Sequence, residues 1–213
     1  IDGIWLTSEV TVDGNITNDG MIIADGDGIS VSNGSSVGGD ITNSSTGTID
    51  ADEHGIVVSD SSTVGGSVVN DGTITSDGIE VESTTSPLVV GDVTNAPLVE
   101  DGSGIGILIG SNSTVIGDVS NNGDINVAAD GILVTYSSTV IGDINNGAEA
   151  TIVAGDDGIK VDDSHVVGDI NNASGGVITA DQRGIRVEDS TIDGEIINDG
   201  EINAEENDSK DGI

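Results

Sequence analysis

Residues 131–154 open with Gly131-Ile132-Leu133-Val134 and continue through a polar turn, Thr135-Tyr136-Ser137-Ser138-Thr139. They run on as Val140-Ile141-Gly142-Asp143-Ile144-Asn145-Asn146, turn again through Gly147-Ala148-Glu149-Ala150, and close on Thr151-Ile152-Val153-Ala154. Apolar residues alternate at period two within each run, which is the signature of a strand with one buried face. No window holds the 3.6-residue period of a helix over any length. Three short strands separated by Ser, Asp, Asn and Gly turns thus make one unit of about 26 residues.

The unit repeats along the chain. Gly-Ile-x-Val, or a near variant, begins at Gly3, Gly28, Gly55, Gly78, Gly106, Gly131, Gly158 and Gly184, and Gly212-Ile213 opens a ninth copy. A three-strand unit that cannot bury its own apolar face must stack on its neighbours, so the reading is a parallel β-solenoid. Five columns test that reading. Those headed by Ile4, Leu6, Val12, Ile16 and Ile22 contain only Ile, Val and Leu in every copy, ending at Ile185, Val187, Ile192, Ile196 and Ile202. The expectation is an all-β, right-handed parallel β-helix with three short strands per coil and about eight coils. Handedness follows from the general preference of parallel connections. Residues 1–213 read as a single solenoid domain, a fragment of a longer repeat array, because the first residues already lie in a coil and no polar cap is evident.

Two more columns mark the corners. Gly14, Gly39, Gly66, Gly91, Gly117, Gly142, Gly168 and Gly194 are in register, as expected where φ is positive or a backbone passes too close for a Cβ. Asn18, Asn43, Asn70, Asn95, Asn121, Asn146, Asn172 and Asn198 are equally regular. They read as a ladder of amides bonded from coil to coil, with asparagine also tolerating left-handed backbone.

Composition bounds the function. The chain has 39 acidic residues against 4 basic ones, a formal charge of −35, and no cysteine. Nucleic acid is excluded as a partner, since phosphate contacts need clustered Lys and Arg. Disulfides and thiolate metal sites are excluded too. No apolar run is long enough for a membrane helix, so this segment is not read as inserting in a membrane.

The charges also stand in rows. Asp40, Asp92, Asp118, Asp143, Asp169 and Glu195 follow the corner glycines, with Asn15 and Ser67 completing the column. Asp2, Asp27, Asp77, Asp130, Asp157 and Asp211 precede the first strand. Denser groups occur at the same corner: Asp25 with Asp27, Asp50 with Asp52 and Glu53, Asp156 with Asp157, and Glu205 with Glu206 and Asp208. Outward carboxylates about 5 Å apart repel by nearly 1 kcal/mol per pair even in water. Three readings compete: solvated turn residues, adaptation to salty water, and calcium bridging carboxylates at the acidic corner. No EF-hand spacing and no calcium β-roll nonapeptide is present, so Ca²⁺ is an open cofactor reading with no assigned ligands.

No catalytic residues and no cofactor-binding residues are assigned. Arg183 and Arg186 read as a solvated ion-pair patch near Asp181 and Glu188, with Lys160 and Lys210 the other cations. His54 and His165 read as separate surface residues. Trp5 takes an outward strand position and Tyr136 a turn, too far apart for a sugar platform. A polysaccharide-active enzyme is the least favoured reading.

The runs Gly14-Asn15-Ile16-Thr17-Asn18-Asp19-Gly20-Met21-Ile22, Gly39-Asp40-Ile41-Thr42-Asn43 and Gly66-Ser67-Val68-Val69-Asn70-Asp71-Gly72-Thr73-Ile74 resemble the Gly-x-Ile-x-Asn-x-Gly-x-Ile repeats of bacterial autotransporter passengers. The resemblance covers essentially the whole chain. It implies a β-helix exported through a C-terminal β-barrel and held at the bacterial cell surface as a non-catalytic adhesin or stalk. Its partners would be a host or neighbouring-cell surface. The alternative is a subunit that stacks end to end with other copies into an extracellular fibre or sheath. The extreme acidity departs from the family's usual pattern.

Overall fold

The computed structural model describes residues 1–82, 85–96, 98–101 and 104–204. Gly212-Ile213, Asp211, Lys210, Glu205, Glu206 and Asp208 lie outside the described residues. Among those described there is no helix, and each coil adds one strand to each of four parallel sheets of eight strands. The chain is a parallel β-solenoid of about eight coils, as its period requires.

Each coil has four strands where the apolar pattern predicts three. In the coil quoted above they are Ile132–Val134, Thr139–Val140, Ile144–Asn146 and Thr151–Ala154. The second apolar run is split: Val140 pairs with Val115 and Val166 in one sheet, and Ile144 with Val119 and Ile170 in the next. Val140 and Ile144 have the spacing of a single strand, but the Ile141-Gly142-Asp143 corner between them bends the chain into a new sheet while keeping both side chains inward.

The five aliphatic columns form the core. Ile132, Val134, Val140, Ile144 and Ile152 are wholly buried, and so are their equivalents throughout the inner coils. Burying each such side chain stabilises the stack by about 1.5–3 kcal/mol. Only the first and last described coils open: Ile4, Val12 and Ile22 are half-buried, while Val187 and Ile196 are exposed. A sixth inward column, not recognised in the sequence pattern, follows the fifth by two residues. Ala24, Ala51, Ser76, Val127, Ala154 and Ala180 are all buried there. Small side chains fit where the fourth strand turns toward the next coil.

The glycine of Gly-Ile-x-Val has a steric cause. A Cβ on Gly131 would stand 2.5 Å from the carbonyl oxygen of Gly158, one coil on, and closer still to the methyl of Ile152. Gly131 does not have positive φ. The first strand can pack against both the fifth column and the next coil only without a side chain at this point.

Candidate functional site

Two hydrogen-bonded ladders use most of the repeated polar residues. In the first, Asn18 Nδ2 donates to Asn43 Oδ1 at 2.8 Å, and the chain continues through Asn70, Asn95, Asn121, Asn146 and Asn172 to Asn198 with separations of 2.8–3.0 Å. Each donor also reaches a carbonyl of the following coil; Asn121 Nδ2 lies 3.1 Å from Thr151 O. From Asn43 to Asn172 these side chains are fully buried. The asparagines end the third strand of their coils and do not adopt left-handed backbone. The ladder expected from sequence is present, and the conformational reason offered for it is replaced by burial of mutually satisfied amides.

The second ladder corrects the reading of the acidic row. Asp143 N–H donates to Asp118 Oδ1 at 2.8 Å, Asp118 N–H to Asp92 Oδ1 at 2.9 Å, and Asp169 N–H to Asp143 Oδ1 at 2.8 Å. The series begins with Asp40 N–H on Asn15 Oδ1 and passes through Ser67 Oγ, which accepts from Asp92 N–H. It ends with Glu195 N–H on Asp169 Oδ1. These residues do not simply project outward. From Asn15 to Asp169 each lends one side-chain oxygen to the backbone of the next coil, which explains why Asn and Ser can replace Asp. A hydrogen bond to a charged acceptor contributes about 1.5–3 kcal/mol, enough to offset the roughly 1 kcal/mol of repulsion between neighbours.

This ladder also accounts for the corner glycines. A Cβ on Gly142 would lie 2.5 Å from Gly117 O and closer still to Asp118 Oδ1, the bridging acceptor. Of the two reasons the sequence allowed, close approach applies from Gly39 to Gly194, and positive φ applies nowhere in the column.

The row before the first strand works in part the same way, with Asp27 N–H on Asp2 Oδ1 at 3.1 Å and Asp157 N–H on Asp130 Oδ1 at 2.9 Å. Here the repeat is interrupted by cations. His54 is not a free surface residue. It is half-buried, with Nδ1 2.8 Å from Asp27 Oδ1 and Nε2 3.0 Å from Glu80 Oε2, so it joins carboxylates of the two coils on either side of its own. Hydrogen bonds from Asp27 and then Glu80 push its pKa up to about 10, against the opposing effect of burial. Burial works to raise the Asp27 carboxyl, but its bonds and charge attraction to His54 outweigh this and hold it below the usual range. Asp27, Glu53 and His54 offer ligand atoms within 4.8 Å of one another, the one such group of three metal-ligating side chains among the described residues.

The second interruption lies in the last two described coils. Arg186 pairs with Asp157 at 3.2 Å and with Glu188, while Arg183 stands 3.9 Å from Asp157. Asp157 is 2 % exposed, so the patch is anchored on a buried carboxylate of the preceding coil, and Asp181 is not its partner. Lys160 is paired in register with Arg186 and lies 3.8 Å from Asp162. Burial raises the Asp130 carboxyl above its ordinary value, and repulsion from Asp157 and Asp156 adds to this, opposed by the Asp157 N–H and by Lys160.

His165 matches its expected place, exposed at the surface with Asp193 Oδ2 at 2.9 Å. Trp5 is outward and exposed, its Nε1 donating to Ser32 Oγ at 3.3 Å. Tyr136 sits exposed in a turn with left-handed backbone, φ 54°. Val90, Ile116, Ile141 and Val167, equivalent residues of consecutive coils beside the second sheet, are 38–44 % exposed. This aliphatic stripe was not singled out from the sequence. Its signal is the extra apolar residue after the third core column.

Comparison of the chain with known protein families, with curated proteins and with solved structures finds no match.

Proposed function

We propose that this chain is a non-catalytic structural and adhesive rod of the bacterial cell surface, similar in role to the repeat region of an autotransporter passenger, and wound as a right-handed helix. The observation that carries the reading is the continuity of both ladders from the first described coil to the last. The regular polar columns are used in holding coil to coil, which suits a stalk, and eight coils at about 4.8 Å extend it by about 38 Å. A stretch of exposed aliphatic residues in register, Val90, Ile116, Ile141 and Val167, offers an adhesive surface on an otherwise acidic exterior.

The test is retention of protein-coated beads on bacterial and host-cell layers, comparing the native chain with an Ile116→Ser, Ile141→Ser double variant. Both positions are solvent-facing, so the stack is preserved. The reading expects native beads to bind above an albumin control and the variant to lose most of that binding. Native beads no stickier than albumin on every surface would overturn the adhesive role.

A further inference from the structure

We propose that Asp27, Glu53 and His54 bind one divalent transition-metal ion, with zinc as the reference ion, and that Glu80 positions the imidazole for it. The set departs from the repeat at a single place. His54 is paired in register with Asp77 and occupies a column that holds Asp2, Asp27, Asp130 and Asp157 in other coils and Arg183 near the end, so the column admits a cation, while only here is that cation a metal-ligating imidazole. Its two nitrogens face different environments. Nδ1 lies 2.8 Å from Asp27 Oδ1 and Nε2 3.0 Å from Glu80 Oε2, and a Glu53 carboxylate oxygen lies within 4.8 Å of the ligand atoms that His54 and Asp27 offer. A ligating histidine whose other ring nitrogen donates to a carboxylate is the arrangement that fixes the tautomer and strengthens the ligand.

The donor chemistry selects the ion. One imidazole nitrogen with two carboxylates suits zinc and its first-row neighbours, while calcium favours an all-oxygen shell. The ligand atoms lie within 4.8 Å of one another, and Glu53 is exposed, so an ion can enter from solvent. A tetrahedral ion with bonds of about 2.0–2.2 Å sets its ligands roughly 3.4 Å apart, so Nδ1 and Asp27 need separate by only about half an ångström. The metal takes the Nδ1 lone pair, and the proton held there leaves to water. Asp27, Glu53 and Glu80 outnumber the single imidazolium, so exchanging one proton for a dication reduces the local negative excess. Asp25 and Asp52, next but one or next in sequence, favour the same exchange.

The site stands apart from the adhesive reading and is tested separately. The native chain is titrated with ZnCl₂ by calorimetry, beside CaCl₂ and NaCl at matched ionic strength, and the ring nitrogens of both histidines are followed by NMR. Expected are one zinc per chain and a shift of His54 alone, with His165, exposed beside Asp193, as the internal control. Glu53→Gln leaves the His54 bonds to Asp27 and Glu80 intact and is expected to weaken zinc at least 10-fold. Glu80→Gln is expected to weaken it about 10- to 100-fold by freeing the ring. Absence of saturable zinc binding would overturn the proposal. So would several equivalents binding equally in native and Glu53→Gln chains, or equal shifts at both histidines.

Discussion

Substituting alanine for the corner glycine in two different coils separates close approach from backbone conformation as the cause of that column. At Gly142 the new methyl collides with Asp118 Oδ1 and with Gly117 O at 2.5 Å, and must evict the carboxylate that accepts Asp143 N–H at 2.8 Å. The lost charge-assisted bond costs about 1.5–3 kcal/mol, and overpacking adds about 1–3 kcal/mol. Reduced freedom of the unfolded chain returns about 0.4–1 kcal/mol. The net expectation for Gly142→Ala is a loss of about 2–5 kcal/mol. Gly14 occupies the same column in the first described coil, where a methyl would meet nothing within 4 Å and φ is not positive. Gly14→Ala should therefore be neutral or stabilising by up to about 1 kcal/mol. Urea unfolding followed by circular dichroism gives both differences, and amide exchange at Asp143 reports the broken bond directly. Equal destabilisation by the two substitutions would refute the steric account, because it would mean that the corner needs glycine for its conformation.

The asparagine ladder should show the same dependence on position. Asn121→Ala strands Asn146 Oδ1 and Gly123 N–H in a buried site and is expected to cost about 2–5 kcal/mol, whereas Asn198→Ala, at the exposed end, should cost about 1 kcal/mol in urea unfolding. Asp130→Asn keeps an oxygen for Asp157 N–H and removes a charge that burial disfavours. Because the folded pKa of Asp130 is raised, its ionisation lowers stability as pH rises through that value. The variant should therefore melt above the native chain at pH 7, and the gap should close as pH falls toward 3.8. Tyr136 and Ser137 hold left-handed backbone at φ 54° and 61°, a conformation that Asn33-Gly34 fills in an equivalent turn. Tyr136→Asn with Ser137→Gly is expected to raise stability by about 1–2 kcal/mol, measured by the shift of the urea midpoint.

The architecture was legible because a solenoid writes its core as a one-dimensional period: residues that touch, such as Ile132 and Ile159, stand one repeat apart. The columns of Ile, Val, Gly and Asn could be aligned without any knowledge of space. The fourth strand was hidden because Val140 and Ile144 keep inward parity across a bend, and parity is all that alternation records. The second ladder was hidden for a different reason. An aspartate beside a glycine has the same composition whether its carboxylate faces water or caps a neighbour's N–H, and the signal was the tolerance of Asn15 and Ser67 in the column.

The candidate site lies furthest from what sequence could show. His54 and Glu80 belong to different coils and different columns, and only winding the chain brings both ring nitrogens onto carboxylates. Sequence by itself determined the repeat, the aliphatic core and the asparagine stack, since each follows from translational identity between coils. Tertiary structure alone decided how each coil bends and which oxygens meet which donors. It also decided where a side chain outside the repeat finds partners, because those depend on directions and distances that a linear period does not encode.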